Sequence, residues 1–118
     1  MRSRVAQAVT DPTTAPAVTA EDLRRPLGRD ATFLQLSSGF CAPCRATRRV
    51  LERVAATRDG VAHVEVDVAH RADLAERFGV TETPTVVLLD ADGAPALRVT
   101  GVPSLAQARA AVAALAGA

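Results

Sequence analysis

Hydrophobic side chains recur along the chain with two different periods, which predict its strands and helices. Alternation of apolar and polar residues predicts strands at Ala31–Ser38, Val61–Val68 and Ala96–Thr100. Thr85–Leu89 is the most hydrophobic run, which favours a strand in the centre of a sheet. Asp90-Ala91-Asp92-Gly93 consists largely of turn-forming residues, so we expect it to connect the last two strands as a hairpin.

Helical spacing of apolar residues predicts three further elements, at about Pro43–Thr57, Arg71–Phe78 and Ser104–Ala116. Ser104 is expected to cap the last helix, and Gly79 to provide the left-handed exit from the second. The first helix has two distinct faces, one apolar (Ala46, Val50, Leu51, Val54, Ala55) and one charged (Arg45, Arg48, Arg49, Glu52, Arg53). A helix with such faces packs its apolar side on a sheet.

A shorter helix is predicted before the first strand. It covers about Val18–Leu23 with Thr19 as its cap, and we expect Pro26 and Gly28 to end it. The polar residues 1–17 are expected to form an extended arm, in which an edge strand containing Val5 and Val9 is not favoured.

The order of the predicted elements indicates an α/β fold. The first two strands are joined by a helix long enough for a parallel crossover, and the hairpin adds an antiparallel edge. We therefore predict a central mixed β-sheet flanked by helices on both faces, built from residues 18–118 as one domain. A length of 118 residues fits a single core.

Composition narrows the possible functions. Of all residues, 48% are hydrophobic, only three are aromatic and the formal net charge is +1, so nothing points to nucleic acid. No apolar run approaches the ~20 residues of a membrane span. Met1-Arg2-Ser3-Arg4-Val5 is not followed by the apolar stretch of a signal peptide, so we expect a cytoplasmic protein. We also expect it to be a monomer.

Both cysteines, Cys41 and Cys44, lie at the predicted start of the first long helix. In a reducing compartment such a close pair is more often catalytic or metal-binding than structural. A helix start favours the thiolate of Cys41, while Cys44 lies one turn further on, within disulfide distance and more buried. Cys41 would attack a disulfide and Cys44 would resolve the mixed disulfide. Pro43 stiffens the loop between them.

The remaining polar candidates are weaker. Structural zinc usually takes four ligands, and only His63 and His70 are available beside the cysteines, so no metal is expected. Both histidines are interpreted as polar surface or strand residues. His63, Glu65 and Asp67 share one face of a strand, and one of them is expected beneath the dithiol, although the pattern leaves open which one.

Several motifs resemble the thioredoxin family. A strand ending in Ser-Ser-Gly-Phe precedes Cys-Ala-Pro-Cys-Arg, where the family most often has Trp-Cys-Gly-Pro-Cys-Lys. Phe78–Leu88 is similar to the segment that leads to the family's cis-proline. Asp92-Gly93 and Gly101 are similar to its hairpin turn and late glycine, and the match covers about residues 31–116.

The resemblance implies a thioredoxin-like fold and thiol–disulfide exchange on protein substrates, with no bound cofactor. Pro84 would be cis, and the backbone of Thr83 would pair with the substrate polypeptide. The implied substrate groove comprises Phe40, Ala42, Pro43, Thr83, Pro84, Gly101 and Val102. Electrons would come from a donor of the thioredoxin-reductase type.

Three residues depart from the family pattern. Gln35 occupies the position of a buried acid that handles the proton of the resolving cysteine, so we expect slower resolution or transfer through water. Glutamate or aspartate at position 35 should speed the reduction of a model disulfide. Phe40 replaces Trp and Ala42 replaces Gly, which suggests substrates of its own.

Charge next to the dithiol adds one more hypothesis. Arg45 is expected to stabilise the Cys41 thiolate and to attract acidic partners, whereas Arg48 and Arg49 are equally well explained as a solvated helix face. The predicted function is a protein-disulfide reductase or exchanger acting through Cys41 and Cys44. The alternatives are an adaptor that binds partners with little redox turnover and, less favoured, a metal-carrying dithiol protein.

Overall fold

The computed structural model describes residues 7–8 and 16–117. It contains five strands and four helices in that part of the chain. The strands are β1 (Gln7–Ala8), β2 (Ala31–Ser37), β3 (Val61–Asp67), β4 (Thr85–Asp90) and β5 (Pro95–Thr100). The helices are α1 (Ala20–Leu23), α2 (Ala42–Thr57), α3 (Ala72–Arg77) and α4 (Leu105–Gly117). No described helix is long and apolar enough to cross a membrane.

The strands form one mixed sheet in the order β1-β5-β4-β2-β3. β2 runs parallel to β3 and antiparallel to β4, which confirms the crossover and the central position of Thr85–Leu89. The hairpin partner β5 is antiparallel to β4, and β1 pairs with β5 outside it. Val5 and Val9, the candidates for an edge strand, lie outside the described residues, but Gln7–Ala8 between them forms this short pairing.

The sheet has a hydrophobic cluster on each face. One cluster combines Leu34 and Leu36 with residues of α3, and the other combines Ala31 and Phe33 with residues of α2 and α4. The two predicted sides of β2 therefore face two different cores, and all seven of its residues are buried. Helices on both faces and a mixed sheet confirm the predicted α/β architecture.

The valines of β3 do not all lie on one face of the sheet, because Val61 at the start of the strand faces the opposite side from Val64 and Val66. Val64 and Val66 pack in the cluster with α3, whereas Val61 packs in the cluster with α2 and α4. Side chains of a strand alternate between faces, so His63 and Glu65 share the face of Val61. That face lies beneath the helix that carries the cysteines.

The segment before β2 packs against the domain and is held there by hydrogen bonds within the segment and to distant residues. A capping box starts α1, with the Thr19 hydroxyl accepting from the Asp22 amide. Arg24, with a φ of 58°, ends the helix before Pro26 is reached, which corrects the predicted stop. Val18 is fully buried, and its amide donates to the Gly93 carbonyl at 2.8 Å.

The expected hairpin turn follows β4. The amide of Gly93 donates to the Asp90 carbonyl, and the Asp90 carboxylate accepts from the amides of Asp92 and Ala94. Gly93 has a φ of +83°, and a Cβ there would lie 1.9 Å from the carbonyl oxygen of Val18. Glycine is therefore required both by the backbone conformation and by the close approach of this segment.

Candidate active site

Cys41 and Cys44 form a disulfide at the start of α2, with their Cα atoms 5.1 Å apart. Cys41 is the N-cap residue of the helix, and its sulfur accepts a hydrogen bond from the Cys44 amide at 3.1 Å. Unpaired amides at a helix start favour negative charge at this sulfur. Cys41 is 9% exposed and Cys44 is 1% exposed, as expected for an attacking and a resolving cysteine.

The loop that carries the dithiol presents an apolar and a basic surface. After β2, the chain turns through Ser38 and Gly39 to Phe40, whose side chain is fully exposed. Ala42 and Pro43 are exposed in the first turn of α2, where a proline leaves no helical hydrogen bond unmade. Arg45 is also exposed one residue beyond Cys44.

The loop before β4 lies next to Cys41. The Thr83–Pro84 peptide bond is cis, as the resemblance implied. The Thr83 hydroxyl lies 4.0 Å from the Cys41 sulfur. Gly101, after β5, donates its amide to the Pro84 carbonyl at 3.0 Å, and the neighbouring Val102 is 47% exposed. These predicted groove residues therefore lie close to one another, and their part in binding a substrate stays a prediction.

A groove of about 640 Å³ runs from this loop along α3. Ser38 and Thr83 line the end nearest to Cys41. Of the seven residues predicted for the substrate groove, this groove contains only Thr83. Its other walls combine small and apolar residues, including Ala72, Ala75 and Val80, with the acidic residues Glu76 and Glu82.

Gln35 lies fully buried beneath the dithiol, at the centre of a polar network. Its side-chain nitrogen lies 2.8 Å from the Cys44 carbonyl oxygen, 3.0 Å from Ser37 Oγ and 3.3 Å from Glu65 Oε2. The Cys44 carbonyl and an ionised Glu65 only accept, so the nitrogen of Gln35 must face them. Gln35 thus links the backbone of the resolving cysteine to a carboxylate on the neighbouring strand.

Glu65 is the acid nearest to Gln35 in this network. Arg48 donates to its two oxygens from Nε at 2.6 Å and from Nη2 at 3.2 Å, and the Ser37 hydroxyl donates at 2.7 Å. Burial by itself would raise the pKa of Glu65, but the bonds from Arg48 and Ser37 outweigh burial and lower it. Glu65 is therefore held as a carboxylate beneath the dithiol.

His63 completes the network on the opposite side of Gln35. Its Nε2 lies 2.9 Å from Gln35 Oε1, and because that oxygen accepts, Nε2 must carry the hydrogen. Burial lowers the pKa of His63, with the negative charge of Glu65 acting against this effect. His63, interpreted as a polar strand residue and also one of the three candidates for a position beneath the dithiol, therefore belongs to the network.

The sequence leaves open which of His63, Glu65 and Asp67 lies beneath the dithiol, and the structure places both Glu65 and His63 in contact with Gln35 there. Asp67 accepts instead from the Ala69 amide at 2.8 Å, in the loop after β3. Arg48, which a solvated helix face explains equally well from the sequence, forms an ion pair with Glu65. The parallel pairing of Gln35 with Glu65 is the signal that identifies this contact, once the strands are placed side by side. No group of three or more His, Cys, Asp or Glu side chains among the described residues is placed to hold a metal ion.

The family model of a thioredoxin-like domain matches residues 25–116. Chloroplastic thioredoxin z is 26% identical to this chain with a TM-score of 0.71, and the match covers 100% of this chain and 99% of the thioredoxin z chain. A mutant thioredoxin from Halobacterium salinarum is 25% identical with a TM-score of 0.68, and the match covers 75% of this chain and 76% of the Halobacterium chain. Thioredoxin NaTrxh from Nicotiana alata is 25% identical with a TM-score of 0.66, covering 75% of both chains. No curated protein sequence matches the chain.

The chain belongs to the thioredoxin-like family. The family match, together with the bonded cysteine pair at the start of α2, defines its general class as a thiol–disulfide oxidoreductase.

Proposed function

We propose that this protein reduces disulfides in protein substrates through Cys41 and Cys44. The observation that carries the proposal is the position of Cys41 as the N-cap of α2, where its sulfur already accepts the Cys44 amide. The same amide would stabilise a thiolate in the reduced protein. A nearby groove and the exposed side chains of Phe40 and Val102 offer surface for a polypeptide.

The proposed reaction moves two electrons from the dithiol to the substrate. The Cys41 thiolate attacks one sulfur of the substrate disulfide, forming a mixed disulfide and releasing the other sulfur as a thiolate that takes up a proton. The Cys44 thiol then loses its proton and attacks Cys41. This second step forms the Cys41–Cys44 bond, which the structure contains, and releases the substrate as a dithiol.

Restoring the dithiol requires two electrons and two protons, and we propose a donor of the thioredoxin-reductase type. The proposal includes action in the cytoplasm as a monomer without a bound cofactor. Dithiothreitol can replace the donor in a test, so the chemistry of Cys41 and Cys44 is measurable before a physiological donor is identified.

Insulin reduction with dithiothreitol tests the proposal. Wild-type protein should accelerate precipitation of the insulin chains above the rate with dithiothreitol alone, and Cys41→Ser should abolish this acceleration. Gln107→Glu, an exposed change in the first turn of α4, should leave it unchanged. A wild-type rate equal to that of dithiothreitol alone would contradict the proposal and favour the adaptor alternative.

A further inference from the structure

Two hydroxyl groups lie in a row beside the sulfur of Cys41. Thr83 Oγ1 is 4.0 Å from Cys41 Sγ and 2.9 Å from Ser38 Oγ. Ser38 follows the last residue of β2, and Thr83 precedes Pro84, so the hydroxyls come from separate segments. Both residues are partly buried at the end of the groove nearest to the dithiol.

The hydroxyls of Ser38 and Thr83 together carry two hydrogens, and one of these hydrogens is available to donate to the sulfur of Cys41. Each hydroxyl has one hydrogen to donate and two lone pairs that accept. The contact between Ser38 and Thr83 uses one hydrogen. If Ser38 donates to Thr83, the hydrogen of Thr83 remains for Cys41 without loss of the contact between the two hydroxyls.

The oxidation state of Cys41 decides how much this hydrogen matters. A sulfur in a disulfide accepts hydrogen bonds weakly, which agrees with the long distance of 4.0 Å to Thr83. A thiolate carries a full negative charge, and hydrogen bonds to charged acceptors are shorter and stronger. Reduction should therefore draw the Thr83 hydroxyl towards Cys41.

Few groups in the part of the chain that the structure describes are placed to donate a hydrogen bond to the Cys41 thiolate. Among the described residues, the sulfur of Cys41 has two hydrogen-bond contacts, the Cys44 amide at 3.1 Å and the Thr83 hydroxyl. The hydrogen bond from the Cys44 amide follows from the N-cap position of Cys41, because the backbone donates it whatever the side chain of residue 44. Among the described residues, the Thr83 hydroxyl is the side-chain group in hydrogen-bond contact with this sulfur.

We propose that the Thr83 hydroxyl donates a hydrogen bond to the Cys41 thiolate in the reduced protein. Thr83 is then a catalytic residue, since it touches the reacting sulfur, and Ser38 is a positioning residue that orients the hydroxyl by donating to it. The inference rests on the proposed function in one respect, because it takes Cys41 as the nucleophile.

The test measures the alkylation rate of Cys41 by iodoacetamide against pH in the full reduced chain, with the site located by mass spectrometry. Thr83→Val keeps the branched shape and removes the hydroxyl, whereas Thr83→Ser keeps the hydroxyl. Thr57→Val is the matched control, because Thr57 lies at the far end of α2 and its hydroxyl bonds the Arg53 carbonyl.

Thr83→Val should raise the apparent pKa of Cys41 by about one unit, as loss of one hydrogen bond to a charged acceptor implies. Thr83→Ser should restore the wild-type value to within about 0.3 units, and Ser38→Ala should shift it in the same direction as Thr83→Val but by less. The control should leave it unchanged. Equal pKa values in wild type and Thr83→Val would overturn the inference.

Two further readouts separate a structural role from the proposed one. Thermal unfolding identifies a variant that is merely destabilised, and a destabilised Thr83→Val with a wild-type Cys41 pKa overturns the inference. The insulin assay is independent, since a failure of wild-type protein there contradicts the proposed function and does not alter the comparison of pKa values.

Discussion

Replacing Gln35 by glutamate tests the network beneath the dithiol most severely. The change preserves the shape of the side chain and replaces its donating nitrogen with oxygen. That nitrogen lies 2.8 Å from the Cys44 carbonyl and 3.3 Å from Glu65 Oε2, both of which accept. An ionised carboxylate at position 35 would therefore face two acceptors, one of them charged.

The magnitudes show how the protein would respond. Two unit charges 3.3 Å apart repel by about 5 kcal/mol at an effective dielectric constant of about 20. Keeping a glutamic acid protonated at pH 7, against its ordinary pKa of about 4.3, costs about 3.7 kcal/mol. Protonation is the less costly response, so the introduced carboxyl should remain largely neutral in the folded protein and donate to the Cys44 carbonyl.

The sign of the pH dependence follows from this protonation. The pKa of the introduced carboxyl is higher in the folded than in the unfolded chain. Below the unfolded pKa the introduced carboxyl therefore does not change the free energy of unfolding through its ionisation. As pH rises above that value, the carboxyl lowers the free energy of unfolding progressively. Relative to wild type, Gln35→Glu should lose about 1.4 kcal/mol of stability per pH unit between pH 5 and pH 7.

Urea denaturation at several pH values measures this loss. Gln107→Glu is the control, since its side chain accepts from the Ser104 amide at 2.9 Å in an exposed capping box, which glutamate can retain. The control should differ from wild type by a nearly constant amount. A constant difference for Gln35→Glu as well would refute the reasoning.

Three smaller changes test other parts of the account. Arg48→Met should cost about 1–2 kcal/mol in urea denaturation, because Glu65 loses a charged partner while partly buried; a loss below about 0.3 kcal/mol would contradict this. Burial lowers the pKa of His63, so the unfolded chain binds more protons as pH falls below about 6.5. His63→Gln should therefore flatten the fall in stability between pH 7 and pH 5, and an unchanged slope would count against it. Gly93→Ala should lower the melting temperature by more than about 5 °C, since the new Cβ meets the Val18 carbonyl; an unaltered melting temperature would disprove the contact.

Local patterns in the sequence were sufficient for much of the fold. The alternation in Ala31–Ser38 and the apolar run at Thr85–Leu89 predicted two strands that the structure confirms within one residue. The start of α2 at the cysteines was also predictable, because a proline in the first turn and a sulfur at the N-cap are local features.

The polar network was not predictable in the same way, because it depends on contacts between distant parts of the chain. Gln35 meets Glu65 only through the register of two parallel strands. Arg48 lies on the polar side of α2 by periodicity, but its long side chain reaches back to the sheet edge, while Thr47 takes the fully buried position. The contact between Thr83 and Ser38 likewise requires two loops to be placed together.

The central claim is that Cys41 attacks protein disulfides and Cys44 resolves the product. Trapping tests it most directly, by incubating Cys44→Ser and Cys41→Ser separately with an oxidised protein and measuring the adducts by intact mass and peptide mapping. We expect a stable mixed disulfide on Cys41 in the first variant and little or none on the buried Cys44 in the second. Equal adducts in both variants, or none on Cys41, would contradict it.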